Sequence, residues 1–194
     1  MEALPAALAT VRDSGVDSLT LRAIGTRLGV SRTALYRHFA DKGALIGAVA
    51  TEGFRMLRGQ LVAAWDGEGR GVAGSRAMGV AYVRFALANS SHYRVMFSRF
   101  VDPQPHDAAL AAEAQGAFQA LVDSLAELQR AGLVRDDDTV LMARHVWALV
   151  HGMAMLAIDG QLREPGAVEE LMRYGFERLR TGMAPDSGAE PARA

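Results

Sequence analysis

The segment from Thr20 to Lys42 constrains the fold of this chain more than any other stretch. Thr20 can cap a helix whose apolar residues recur at i, i+3 and i+7, and Gly29 then provides a turn. Ser31 can cap a second, very short helix that ends near Phe39. Two capped helices joined by a tight glycine turn are the layout of a helix-turn-helix. The side chains that would form its small core are Leu21, Ile24, Leu28, Val30, Leu35 and Phe39.

The outer face of the second short helix is polar, as a helix that enters the major groove requires. Arg32 can bond a guanine at O6 and N7 together, and Thr33 can reach a base or a phosphate. Tyr36, Arg37, His38 and Lys42, together with the free N–H groups at helix starts, can bind the phosphates of the DNA backbone. Asp41 is expected to cap its own helix. The predicted DNA-contacting residues are Thr20, Ser31, Arg32, Thr33, Ala34, Tyr36, Arg37, His38 and Lys42.

Charge is distributed unevenly along the chain. The formal net charge is −1, which excludes a strongly basic nucleic-acid coat protein. Residues 20–42 nevertheless hold five basic side chains against one acidic side chain. This local excess favours a phosphate-binding surface, although a solvated helix face in a protein that does not bind DNA would show the same pattern.

The remainder of the chain predicts an all-α protein of about nine helices, because helix-forming residues are plentiful and no stretch alternates with period two. The expected helices cover residues 5–13, 21–28, 31–39, 41–65, 76–89, 91–99, 107–131, 137–161 and 166–182, with a loop from Asp66 to Ser75. Residues 1–50 would form a DNA-binding domain and residues 51–183 a ligand-binding and dimerisation domain. Residues 184–194 would form a disordered tail.

The stretch from about Ala6 to Val49 resembles the DNA-binding domain of the TetR family of bacterial transcriptional regulators. The motifs that carry the resemblance are Leu28-Gly29-Val30-Ser31, Leu35-Tyr36-Arg37-His38-Phe39 and Asp41-Lys42. It implies a homodimeric repressor that binds a near-palindromic DNA operator and leaves it when a small molecule binds the C-terminal domain. One departure is Gly25, where the family usually has alanine inside a helix.

The C-terminal part resembles a TetR subgroup that is marked by a Trp-x-x-x-His-Gly element, here Trp147 to Gly152, preceded by His92 to Phe97. Trp147 and His151 share a helix face, where they either line a pocket or pack in the core. A pocket for a small apolar or aromatic ligand would draw on aromatic and methionine side chains. The candidates are Met78, Tyr82, Phe85, Met96, Phe97, Phe100, Phe118, Leu121, Trp147, His151 and Met155.

The last two helices carry an apolar stripe and several small residues, which predict a four-helix bundle across a two-fold axis. Alternatively, both features serve packing within one chain. The predicted dimer residues are Ala143, Ala154, Ala157, Val168, Leu171, Met172, Gly175 and Leu179.

Catalytic, metal-binding and cofactor-binding residues are not predicted. The chain has no cysteine, its five histidines lack metal-ligand spacing, and no Ser/His/Asp grouping is evident. The longest apolar stretch, residues 146–158, is short for a membrane span, so a cytoplasmic protein without a membrane partner is expected. The alternatives are a regulator or activator without a ligand, and a helical interaction module or unrecognised enzyme that does not bind DNA.

Overall fold

The fold is described from a computed structural model, which covers residues 2–102 and 107–185 apart from the side chain of Arg32. These residues form nine α-helices and one 3₁₀ turn and contain no strand, which confirms the all-α prediction. The helices are α1 (Ala3–Ser14), α2 (Leu21–Leu28), α3 (Arg32–Tyr36), α4 (Lys42–Gly67), α5 (Gly71–Ala88), α6 (Ser90–Met96), α7 (Ala108–Arg130), α8 (Thr139–Ile158) and α9 (Ala167–Gly182), with the 3₁₀ turn at Val16–Ser18.

Side-chain caps set the starts of the three helices that follow α1. The Thr20 Oγ1 atom accepts a hydrogen bond of 3.1 Å from the N–H of Ala23, which begins α2. Ser31 Oγ and Asp41 Oδ1 accept equivalent bonds of 3.2 Å and 2.8 Å at the starts of α3 and α4. Each cap satisfies a donor that the helix itself leaves unpaired and is worth about 1 kcal/mol.

The predicted loop from Asp66 to Ser75 is wrong, because α4 continues to Gly67 and α5 begins at Gly71. The reversal takes only three residues, since Gly69 and Gly71 adopt positive φ values of 72° and 64°. Arg70 holds the corner through bonds of 3.0 Å to Asp66 Oδ1 and 3.1 Å to Glu127 Oε2. The glycine-rich stretch for which the sequence predicts a loop therefore forms a tight turn between α4 and α5.

The described chain forms two compact units. The first comprises residues 2–58, 88–102 and 107–117 and contains α1–α3, the first part of α4, α6 and the start of α7. Its core is apolar, with fully buried Leu19, Ile24, Leu45, Ile46, Val49, Tyr93 and Val95. The second comprises residues 59–87 and 118–185 and contains the end of α4, α5, most of α7, α8 and α9. Its most buried side chains include Val83, Phe85, Leu125, Ala143 and Ala154.

Among the described residues, α8 is the one helix long and apolar enough to cross a membrane by length and composition. The apolar character thus extends beyond residues 146–158. Within the second unit, however, α8 packs against α9, where the Gly175 backbone lies against Leu149 and Met153. Since α8 also carries Arg144 and two histidines, its composition fits a helix packed in a bundle.

Candidate nucleic-acid interface and effector site

A tight turn and a small core fix α3 against α2. Gly29 lies in the left-handed region at φ 65°, and the N–H of Val30 donates to Gly25 O over 3.0 Å. A Cβ atom at Gly25 would lie 3.3 Å from Val30 O and 3.4 Å from Leu35 Cδ1. Glycine at position 25 therefore permits the close approach of the turn and of α3 to α2. Leu35 on α3 and Phe39 just after it are buried, at 4% and 7% exposed, and their packing in the core holds the five-residue helix in place.

The predicted DNA-contacting side chains of this segment are largely accessible. Thr33, Tyr36, Arg37 and His38 are exposed, and Ala34 is half-buried. Arg32 begins α3, but its side chain lies outside the described part of the structure. The Thr20 and Ser31 hydroxyl oxygens already cap their helices.

A neighbouring basic residue has a structural partner instead. Arg27 donates to Asp13 Oδ2 over 2.9 Å and so links α2 to α1. This hydrogen bond lowers the pKa of the exposed Asp13 carboxyl group. At least one of the five basic side chains of residues 20–42, that of Arg27, therefore links two helices within the first unit.

Lys42 is half-buried and its ammonium group has two neighbours. The Nζ atom donates to the carbonyl oxygen of Asp17 over 3.3 Å, and it lies 4.2 Å from the centroid of the Phe100 ring. Arg99 pairs with the Asp17 carboxylate and also lies over the same ring, 5.0 Å from its centroid. Sequence reasoning missed Asp17 and Arg99, because no local spacing links them to residue 42.

Four of the predicted pocket residues meet in the second unit and are called the Tyr82 cluster: Tyr82, Phe118, Trp147 and His151. The Trp147 Nε1–H group donates to the Tyr82 hydroxyl oxygen over 3.0 Å. Tyr82 Oη lies 3.3 Å from His151 Nδ1, and the Phe118 and His151 rings each lie 5.9 Å from the Trp147 ring. Tyr82 itself is buried, whereas Trp147 is 39% exposed.

The donors in this cluster define the direction of one of its two hydrogen bonds. An indole N–H can only donate, so the Tyr82 oxygen accepts from Trp147. The direction of the bond between Tyr82 Oη and His151 Nδ1 depends on which ring nitrogen of His151 carries the proton, because the hydroxyl group can donate or accept. Burial lowers the pKa of His151 and favours its neutral form.

The lowered pKa of His151 predicts a loss of stability on acidification. The unfolded chain takes up a proton near the ordinary pKa of 6.5, whereas the folded chain does so only at lower pH. The free energy of unfolding should therefore fall as the pH drops below about 6.5. Urea unfolding between pH 7.5 and 5.5 should show a steeper fall for the natural chain than for His151→Asn, whose amide group does not titrate and can still hydrogen-bond Tyr82. Parallel curves for the two proteins would contradict this role.

The other predicted pocket residues have separate surroundings. Met78 and Phe85 are buried in the second unit, and Leu121 and Met155 are half-buried there. In the first unit, Met96 packs against Gly53, and the Phe97 ring lies 5.5 Å from Phe54 and 4.7 Å from Tyr93. Phe100 lies against Lys42. A single lining shared by all of these residues stays a prediction.

The surface formed by α8 and α9 holds an open groove of about 650 Å³. Leu171, Gly175 and Leu179 of the predicted apolar stripe line it. Sequence reasoning missed the exposed Leu141 and Tyr174, although each lies one helical turn from another lining residue.

Four of the eight predicted dimer residues are buried inside the second unit, where their small size or shape serves packing within the chain. These are Ala143, Ala154, Met172 and Gly175. Ala157 and Val168 are half-buried. A dimer surface that includes all eight residues stays a prediction.

The all-α fold and the exposed polar helix α3 after a glycine turn are the architecture of a helix-turn-helix DNA-binding protein. Residues 3–49 match the family model described as bacterial regulatory proteins, tetR family. Residues 75–179 match the model described as tetracyclin repressor-like, C-terminal domain. The chain therefore belongs to the TetR family of bacterial transcriptional regulators, as its first fifty residues predicted. Its assignment to the Trp-His-Gly subgroup stays a prediction.

Similar proteins share either a segment of the sequence or the fold. A segment of 45 residues is 51% identical to the tetracycline repressor protein class A from transposon 1721 of Escherichia coli, and covers 23% of this chain and 21% of that protein. A protein of unknown function from Rhodococcus sp. RHA1 has a TM-score of 0.80 at 30% identity, over 94% of this chain and 93% of that one. The TetR family regulator PfmR from Thermus thermophilus shares the fold, with a TM-score of 0.72 at 20% identity over 93% and 98% of the two chains.

Proposed function

We propose that this regulator is a cytoplasmic homodimeric repressor that leaves a near-palindromic operator when a small apolar or aromatic ligand binds. Residues 1–50 form its DNA-binding domain and residues 51–183 its ligand-binding and dimerisation domain. The chain has no catalytic activity of its own in this proposal. The observation that carries it is the exposed set of Thr33 and Tyr36 on a short helix, with Arg37 and His38 directly after it, where buried side chains hold the segment in place.

The helix α3 would enter the major groove. Arg32 and Thr33 lie at its start, where a recognition helix contacts base edges, and the half-buried Ala34 leaves room for the groove floor. Tyr36, Arg37, His38 and Lys42 would contact phosphates, which fix the orientation of the protein on the duplex.

The proposed ligand would bind at the Tyr82 cluster. Phe118 and Trp147 offer aromatic surface, and Tyr82 and His151 offer polar atoms next to it. Pockets for small molecules in proteins usually combine apolar walls with a few such polar groups. The Escherichia coli relative that shares 45 residues with this chain is a tetracycline repressor, which supports a repressor of this general kind.

A second copy of the chain would cover the groove between α8 and α9. The groove is lined mainly by apolar side chains, and Leu141 and Tyr174 on its surface are 61% and 57% exposed. An isologous contact of this kind would relate two α3 helices by a two-fold axis, as a near-palindromic operator requires. The mass of the particle in solution, measured by sedimentation equilibrium, tests the dimer directly.

Fluorescence anisotropy on DNA from immediately upstream of the gene tests the proposed function. A scrambled duplex of equal length serves as the control, at two salt concentrations. Preference for the upstream DNA that persists at about 150 mM salt supports operator recognition, because non-specific binding is largely electrostatic and weakens with salt. A ligand found by screening must then weaken operator binding and be weakened by it to the same degree, since linkage is reciprocal. Saturating ligand that leaves operator affinity unchanged would refute the induction mechanism.

Replacement of Lys42 by alanine should weaken binding to all DNA alike. A phosphate contact carries no base information, and its loss reduces the slope of log affinity against log salt by about one unit. Titrations of operator and scrambled duplexes at three or more salt concentrations measure this slope. A slope equal to that of the natural protein would remove Lys42 from the interface.

A further inference from the structure

Four residues from distant parts of the sequence form one cluster in the first unit, the Lys42 cluster: Asp17, Lys42, Arg99 and Phe100. Asp17 joins two cations, since its carbonyl oxygen accepts from Lys42 and its carboxylate pairs with Arg99. The Phe100 ring lies against both, 4.2 Å from the Lys42 ammonium nitrogen and 5.0 Å from the Arg99 guanidinium carbon. A cation at such distances from an aromatic ring is attracted to the electron-rich ring face.

The Phe100 backbone is fixed by a turn that follows α6. The N–H of Ser98 donates to Val95 O over 3.1 Å, and the N–H of Val101 donates to Ser98 O over 3.1 Å. The N–H of Phe100 itself donates to Ser98 Oγ over 3.3 Å. Because these bonds hold the turn, the half-buried ring is presented to Lys42 from a defined position.

A free lysine side chain at position 42 would have to be ordered when it binds a phosphate, which would lower the affinity for DNA. Lys42 is the first residue of α4 and the single lysine of the sequence, in which the other 20 of the 21 Lys and Arg residues are arginines. An ammonium group has three N–H donors, and the bond to Asp17 O uses one of them. The contact with the ring uses the positive charge rather than a particular N–H group, so the geometry confines the ammonium group while donors stay available for a phosphate oxygen.

We propose that Phe100, supported by the pairing of Arg99 with Asp17, is a positioning residue that holds Lys42 ready for its phosphate contact. This inference rests on the proposed function, in which Lys42 binds the DNA backbone. A side chain that is ordered before binding avoids the loss of affinity that comes from ordering it on the DNA, which is about two- to tenfold for a long side chain. The segment after α6 thus contributes to DNA affinity although it carries no predicted DNA contact.

A double-mutant cycle tests the proposal. Phe100→Leu should weaken operator binding by about two- to tenfold, while Phe100→Tyr, which keeps an aromatic face, should bind like the natural protein. In a Lys42→Ala background, Phe100→Leu should have no further effect, since the side chain that it positions is gone. Equal losses in both backgrounds would mean a merely structural role and would overturn the proposal, as would unchanged or tighter binding by Phe100→Leu.

Arg99→Gln provides a second variant that leaves the ring in place. Arg99 and Asp17 are both largely exposed, so this change should not disturb folding. It should weaken operator binding by about twofold more when Lys42 is present than in the Lys42→Ala background, where only the lost charge acts. A natural protein that shows no operator preference would refute the proposed function as a whole. Operator preference together with an unchanged Lys42→Ala variant would refute only the positioning role.

Discussion

Truncation of Leu35 to alanine is expected to lower the free energy of unfolding by about 2–5 kcal/mol and to remove operator preference. Leu35 is 4% exposed and lies on the five-residue helix α3, where its Cδ1 atom faces Gly25. A helix this short has little stability of its own, so its orientation depends on the side chains that anchor it. Loss of the anchor leaves a cavity and frees the exposed residues that would contact DNA.

Urea unfolding and operator titration of Leu35→Ala measure the two effects. Leu87→Ala is the matched control, because the same atoms are removed from a residue that is 41% exposed. The control should change the free energy of unfolding by less than about 0.5 kcal/mol and leave DNA binding intact. A Leu35→Ala protein that remains as stable as the control would show that α3 is held by other contacts.

Removal of the Arg32 side chain is expected to weaken operator binding by about 1–3 kcal/mol, which is about 5- to 150-fold, with a much smaller effect on scrambled DNA. The reason is the position of Arg32 at the start of α3, where an arginine can bond guanine O6 and N7 at once. The observable is the ratio of the two affinities, measured at one fixed salt concentration.

Arg22→Ala separates base reading from charge. Arg22 is an exposed arginine of α2 outside the predicted contacts, and its removal takes away the same unit of charge. This control should change the affinity for both duplexes alike. An equal loss on operator and scrambled DNA for Arg32→Ala would make Arg32 a phosphate contact instead.

Local signals made most of the DNA-binding region predictable. Thr20, Ser31 and Asp41 cap helices through hydrogen bonds to residues only three positions along the chain. The helix starts can therefore be predicted from the local sequence. Gly29 supplies a left-handed turn for which glycine is the preferred residue. Family resemblance added the identity of the domain, which charge and periodicity alone left open.

The features that sequence reasoning missed depend on contacts between distant residues. Arg70 stabilises the corner between α4 and α5 through a bond to Glu127, which lies 57 residues away. The glycines around Arg70 predict a loop, because their spacing gives no sign of this contact. The sequence predicts Phe100 as a pocket residue, whereas the structure places its ring against Lys42. The spacing of aromatic residues along a helix does not indicate which residues they contact. Ala143 and Ala154 suggested a crossing between two chains, but small residues serve crossings within one chain equally well.

The Tyr82 cluster gives the protein an optical sensor of its own state. The sequence contains two tryptophans, of which Trp65 is 7% exposed and Trp147 is 39% exposed with its indole N–H bonded to Tyr82. Indole emission depends on the polarity around the ring and on its hydrogen bond. Changes at residues 82, 118 or 151, which contact Trp147, are therefore expected to shift the emission wavelength of Trp147 more than that of the buried Trp65.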